Sequence, residues 1–253
     1  MSALEFGLLV LAGAAAGLIG SVAGLASLIS YPALLATGIP PLTANVTNTV
    51  ALAFSSIGSV SASRPELAGQ RGRLRRLCVA GLLGGVTGAV LLLLTPSSAF
   101  EKLVPFLIAG ASAAILVQRS PRELAAEGAA HPHRDSAGLV VGTFAISVYG
   151  GYFGAAAGVL MLAMFLLVTG EGVPRSNALK NVVLGVANSV AAIGYAFFAD
   201  VDWLAVLPLG IGFLAGASLG PAVVRRVPQT ALRRAVAVAG LGLAVHLGID
   251  AFG

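Results

Sequence analysis

The sequence predicts an all-α membrane protein: a polytopic helical bundle of two inverted repeats. Each repeat is expected to hold a broken or re-entrant glycine-rich first element followed by three transmembrane helices. Three observations carry that expectation. The 253 residues are 57% apolar and only 10% charged, against roughly 25% charged in a soluble domain. Landmarks recur in the same order half a chain apart. GSVAG at 20–24 returns as GAAAG at 154–158, and Thr37-Gly38 with Pro41 returns as Thr169-Gly170 with Pro174. Asn48 matches Asn181, Gly84 and Gly88 match Gly216 and Gly220, and Pro96 matches Pro228. Finally, the first apolar window of each half is too long for one crossing and is rich in glycine at its middle.

Windows apolar enough to span a bilayer, which takes about 20 residues, fall at 3–36, 41–63, 74–95 and 98–118 in the first half. In the second half they fall at 137–168, 174–199, 202–224 and 230–250. As a single helix, 3–36 would reach about 50 Å, well beyond a hydrocarbon core of about 30 Å. Gly13, Gly17, Gly20 and Gly24 interrupt it, as Gly150, Gly151, Gly154 and Gly158 interrupt 137–168. Each is read as a re-entrant hairpin or two short helices that return to the starting side. The window 3–36 also lacks the basic leader and short apolar core of a cleaved signal peptide.

Three further crossings per half is an odd number, so the halves must be inverted relative to each other. The basic residues agree. With Arg64, Arg71, Arg73, Arg75 and Arg76 in the cytoplasm, the inverted scheme also places inside Arg119, Arg122, Arg134, Arg175, Lys180, Arg225, Arg226, Arg233 and Arg234. Of the 15 lysines and arginines, only Lys102 then falls outside, as the positive-inside bias requires. Single crossings in place of the broken elements would split the charges almost evenly. Asp200, Asp202 and both termini fall outside. The net charge of +5 therefore reflects membrane topology, and a nucleic-acid partner is not expected.

The domains read as a first transmembrane repeat over 1–118, a cytoplasmic linker over 119–136 and a second transmembrane repeat over 137–253. His131 and His133 flank a proline in the linker, where they could serve a metal or simply be solvated. The single cysteine, Cys78, permits no intrachain disulfide.

Broken helices are tolerated at membrane depth only where they face protein or a watery cavity. A cavity is therefore expected beside Gly20, Gly24, Gly154 and Gly158, where helix N-termini would offer free N–H groups to an anion. The bland alternative for glycine is close helix packing, which is the reading for Gly81, Gly84, Gly85, Gly88, Gly212, Gly216 and Gly220. The next helix of each half opens with polar groups: Thr43, Asn45, Thr47, Asn48 and Thr49, then Ser176, Asn177, Lys180 and Asn181. Asn48, Ser55 and Ser59 share one helical stripe, and the repeat maps them onto Asn181, Asn188 and Ala192. Such stripes serve either as interhelical hydrogen bonds or as the walls of a pathway. Lys180 is the sharpest candidate, because an intramembrane charge is costly. It either contacts an anion or snorkels to the headgroups. No carboxylate lies deep in any window, and His246 is near the end of its helix.

On these residues the chain resembles the TauE/SafE family of membrane permeases, the sulfite exporters. The resemblance rests on the G-x-x-G-x-x-x-G element of Gly17, Gly20 and Gly24, on Tyr31-Pro32, and on TGIPP at 37–41. It rests further on ANVTNT at 44–49 and on a weaker second copy from Gly150 to Asn181. Where the family carries a triple-glycine stretch, this chain has Ala23-Gly24-Leu25. The resemblance implies transport of small sulfur-containing anions such as sulfite or organosulfonates.

The expected function is thus a permease or exporter of such anions, working by alternating access between inverted repeats. Its substrate contacts would be Gly20, Gly24, Asn45, Thr47, Asn48, Gly154, Gly158, Asn177, Lys180, Asn181 and Asn188. No cofactor, metal or catalytic residue is expected. The partners are a small anion and membrane lipid, with a homodimer left open, and the location is a bacterial plasma membrane. The alternatives are an anion channel, or an intramembrane serine hydrolase using Ser218 in its G-x-S-x-G pattern together with His246.

Overall fold

The computed structural model describes residues 1–130, 137–224 and 230–252. Among them every regular element is helical. The first half runs α1 (Ala3–Ala23), α2 (Ser27–Leu35), α3 (Pro41–Ala62), α4 (Arg71–Leu93) and α5 (Ser97–Val117), with a short 3-10 turn at Arg64–Leu67. After α6 (Pro121–Ala130), the second half repeats the order: α7 (Ala137–Tyr152), α8 (Ala157–Thr169), α9 (Val173–Phe198), α10 (Trp203–Val224) and α11 (Thr230–Phe252). Both over-long windows are therefore broken in two, and each is followed by three long helices. Among the described residues five helices, α1, α4, α5, α9 and α10, are long and apolar enough to cross a membrane.

Local chemistry sets the ends. Ser2 and Glu5 form a reciprocal capping box at the start of α1, with the Ser2 N–H donating to Glu5 Oε2 at 2.6 Å. Pro41 opens α3 and Pro174 lies in the first turn of α9, where a missing N–H costs nothing. Gly38 and Gly170 close α2 and α8 with positive φ of +81° and +67°.

The helices pack so that the two halves exchange partners. α1 lies on α10 and α7 on α4; α3 lies on α10 and α9 on α4; α3 and α9 meet at the centre. The glycines assigned to packing make these contacts. A Cβ on Gly85 would sit 2.5 Å from the Ala187 carbonyl oxygen, and one on Gly84 would sit 2.6 Å from Ser147 Cβ. Small residues of this kind bring helices together where lipid supplies no hydrophobic drive. The main core joins Leu9, Tyr31, Phe100, Phe153, Tyr195 and Phe213. Leu4, Leu11, Leu94, Val117, Phe197 and Phe198 are more than two-thirds exposed, a surface suited to lipid rather than water.

The segment between the halves is more than a solvated strap. α6 turns Leu124 inward against Leu162 and Leu166 of α8, and Arg119 pairs with Glu127 at 2.6 Å. His131, His133 and Arg134 lie outside the described residues, as do Arg225 and Arg226.

Candidate functional site

The site is built on the two breaks. α1 stops at Gly24, whose φ of +79° turns the chain and whose N–H donates to the Gly20 carbonyl at 2.8 Å. α7 stops before Gly154, with φ of +77° and its N–H on the Tyr149 carbonyl at 3.1 Å. Glycine takes this left-handed conformation without a Cβ penalty. The geometry therefore makes Gly24 equivalent to Gly154, and Gly20 to Gly150. Sequence spacing pairs Gly24 with Gly158 instead. The slip arises because α8 has 13 residues where α2 has 9, so the register shifts between break and helix end. Gly158 sits in the first turn of α8, with its backbone against that of Gly24.

A broken helix leaves carbonyls without intrahelical partners, and lipid cannot satisfy them. Side chains of the opposite half do so. Asn45 on α3 donates to the Tyr152 carbonyl at 2.9 Å, closing α7. Asn177 on α9 donates to the Ser21 carbonyl at 2.9 Å, closing α1. Lys180 Nζ adds bonds to the carbonyls of Gly20 at 3.1 Å and Ser21 at 3.3 Å. Within the second half, the Tyr195 hydroxyl donates to the Gly151 carbonyl. Thr47 accepts the Asp202 N–H at 3.0 Å, tying α3 to the start of α10. Asn48 donates to Ser27 Oγ at 3.1 Å and accepts from Ser30 Oγ at 2.6 Å.

Between the breaks lies a cavity of about 70 Å³, room for several waters or one small polyatomic ion. Both halves line it: Gly20, Ser21, Gly24 and Ser27 from the first break, Gly154, Ala157 and Gly158 from the second. α3 contributes Ser55, Ser56 and Ser59, and α9 contributes Lys180, Asn181, Gly185 and Asn188. Of the residues expected from the sequence, Gly20, Gly24, Gly154, Gly158, Lys180, Asn181 and Asn188 therefore meet at one place. Asn45, Thr47, Asn48 and Asn177 do not line it; Asn45, Asn48 and Asn177 hold helix ends beside it, and Thr47 holds the start of α10. Ser21, Ser27 and Ser56 carry no distinguishing signal in the sequence. Serine is common beside glycine in membrane helices, and only the fold shows which hydroxyls face the cavity.

The cavity is rich in donors. Lys180 is 1% exposed, so it turns inward and does not snorkel to headgroups. Among the described residues no carboxylate pairs with it. An ammonium has three N–H donors, and two are used on the Gly20 and Ser21 carbonyls. Asn181 Nδ2 and Ser21 Oγ are buried with no hydrogen-bond partner. The starts of α2 and α8, at Ser27 and Ala157, border the same space; helix starts leave N–H groups free, although that of Ala157 itself is bonded to the Gly154 carbonyl at 3.2 Å. A buried amino group with no carboxylate beside it, set among idle donors, is a setting for an anion, whose charge would hold the ammonium form.

The cavity lies toward the end of the bundle that carries the arginines. There Glu171 bonds Arg73 at 3.3 Å and Arg175 at 3.2 Å, and Arg175 donates to the Ala68 carbonyl at 3.1 Å. The connection after α3 and the loop before α9 therefore share one face, as the charge pattern requires. The two residues of the hydrolase alternative have other partners. Ser218 donates to the Leu214 carbonyl at 2.7 Å, while exposed His246 lies 3.6 Å from Asp250 on its own helix. Among the described residues no three His, Cys, Asp or Glu side chains converge on one point.

The chain is similar to known membrane transporter proteins. The family model described as "Sulfite exporter TauE/SafE" matches residues 9–247. A probable membrane transporter protein, ORF9 of Sinorhizobium sp., is 27% identical over 241 residues, covering 93% of this chain and 89% of its own. A probable membrane transporter protein of Haemophilus influenzae is 26% identical, over 94% of this chain and 92% of its own. Another, YfcA of Escherichia coli K12, is 24% identical over 100% of this chain and 93% of its own. No solved structure matches the chain.

Proposed function

This chain belongs to the sulfite exporter TauE/SafE family of membrane transporters, and on that premise we propose that it carries small sulfur-containing anions such as sulfite or organosulfonates. The observation that carries the reading is Lys180. Its amino group is buried with no carboxylate partner among the described residues, on the wall of a cavity that both halves build. An anion entering that space balances the charge and takes up the idle Asn181 and Ser21 donors. Its oxygens also meet the helix starts at Ser27 and Ala157. A charge-assisted hydrogen bond of this kind is about twice as strong as a neutral one.

Transport then follows from two halves that rock about the shared site, the scheme of secondary transporters built from inverted repeats. The first repeat is 1–118, the second 137–253, and 119–136 links them on the cytoplasmic face of a bacterial plasma membrane. In this reading the chain is a transporter and not an enzyme. The arginine-rich end faces the cytoplasm, so the cavity lies on the path of outward movement. A negative-inside potential drives a monovalent anion out with about 2.3 kcal/mol per 100 mV.

The test is flux in liposomes. Purified protein is reconstituted and the movement of labelled sulfite, sulfoacetate, sulfate and a simple carboxylate is followed under an imposed potential. Saturable, potential-driven flux of a sulfur oxyanion supports the reading. Flux that never saturates makes the protein a channel. Flux of the carboxylate alone removes sulfur anions as the substrate class.

A further inference from the structure

Asn48 and Asn181 are asparagines of the matching helices α3 and α9, yet the structure gives them opposite surroundings. Both ends of the Asn48 amide are occupied, by Ser27 Oγ and by Ser30 Oγ. Ser30 also donates to the Ala26 carbonyl at 3.0 Å, so Asn48 fastens the first turn of α2. Asn181 Nδ2, by contrast, is buried without a partner, and the residue is 7% exposed on the cavity wall. No shift of repeat register supplies it with a clamp, because α8 carries no serine and its only hydroxyl is Thr169 at its far end. Thr169 is itself bonded to the Phe165 carbonyl.

We propose that the two asparagines do different work at the same cavity. Asn181, whose Nδ2 is unpartnered, is an amide that contacts the substrate and reads its acceptor oxygens. Asn48 is a positioning residue that holds the start of α2, and with it Ala26 and Ser27, against the same cavity. This inference rests on the anion-transport reading above. It goes further by making recognition asymmetric: only the second half offers an amide to the ligand.

The closing experiment uses labelled sulfite and the full chain in liposomes, with thermal unfolding of each variant measured in parallel. Asn181→Ala should raise KM for sulfite about tenfold or more, as loss of a hydrogen bond to a charged group does. Its unfolding midpoint should hold or rise, since an unpartnered buried amide is removed. Asn48→Ala should lower the unfolding midpoint, and the double variant Ser27→Ala with Ser30→Ala should reproduce its effect on KM. Adding Asn48→Ala to that double variant should then change KM less than twofold. A large further rise in KM there would make Asn48 a direct ligand and overturn the division. A wild-type KM in Asn181→Ala, with flux lost in Lys180→Ala, would overturn the role of Asn181 while leaving anion transport intact. Absence of saturable sulfite flux in the wild-type protein would instead remove the transport reading on which the inference stands.

Discussion

Gly24, which ends α1, and Gly158, in the first turn of α8, touch backbone to backbone at the crossing of the two broken elements. A Cβ on Gly158 would lie 2.5 Å from Gly24 Cα and 2.9 Å from its carbonyl oxygen. The contact joins the halves at the floor of the cavity, so it couples the geometry of the site to the packing of the bundle.

Gly24→Ala meets two obstacles, a clash with α8 and a φ of +79°. Gly38→Ala meets only the second, since its φ is +81° and nothing lies within 4 Å. The left-handed conformation alone costs about 1–2 kcal/mol. Thermal unfolding in detergent should therefore show a modest loss for Gly38→Ala and a much larger one, with poor yield, for Gly24→Ala. Equal losses would mean that the crossing relaxes freely.

Lys180→Ala should remove a charge-assisted contact worth about 1.5–3 kcal/mol, seen as a roughly 10- to 150-fold rise in KM for the transported anion. Stability should not fall in step, because an unbalanced buried charge is itself expensive. Lys180→Met, which keeps the length of the side chain, separates charge from packing. Wild-type kinetics in that variant would take Lys180 out of the site.

The direction of transport is set by charge. At 100 mV, negative inside, a monovalent anion at equilibrium should be distributed about 50-fold in favour of the outside, from about 2.3 kcal/mol. Collapsing the potential with a potassium ionophore should abolish the gradient. A gradient that survives would show coupling to another ion.

Glu171 holds Arg73 and Arg175 at the arginine-rich rim, with side chains 20–43% exposed. Exposed pairs contribute about 0–1 kcal/mol and weaken in salt. Glu171→Gln should lower the unfolding midpoint slightly in low salt and hardly at all in high salt. A large, salt-independent drop would point to a more buried role than the geometry shows.

How far the sequence can be read is clear from particular residues. The breaks at Gly24 and Gly154 are visible because a window longer than the bilayer must bend, and glycine marks where. Lys180 is visible because charge is rare and expensive in an apolar helix. Asn45 and Asn177 are visible as polar, but the same amide can face a ligand or cap a helix end. Only its neighbour decides, and those neighbours, Tyr152 and Ser21, lie more than a hundred residues away. The pairing of Gly24 with Gly154 is likewise hidden, because α8 is longer than α2 and spacing alone cannot say where the extra residues sit.

By itself, the sequence determined the class of the protein, its doubled order, its broken first elements and the end that gathers arginine. Each of these follows from local chemistry: hydropathy over a window, glycine at a bend, charge between windows. The tertiary structure decided which idle donors face one another across the cavity, which asparagine is fastened and which is free, and that Lys180 turns inward. Those outcomes depend on contacts between segments far apart in the chain, and a periodicity carries no information about what stands opposite it.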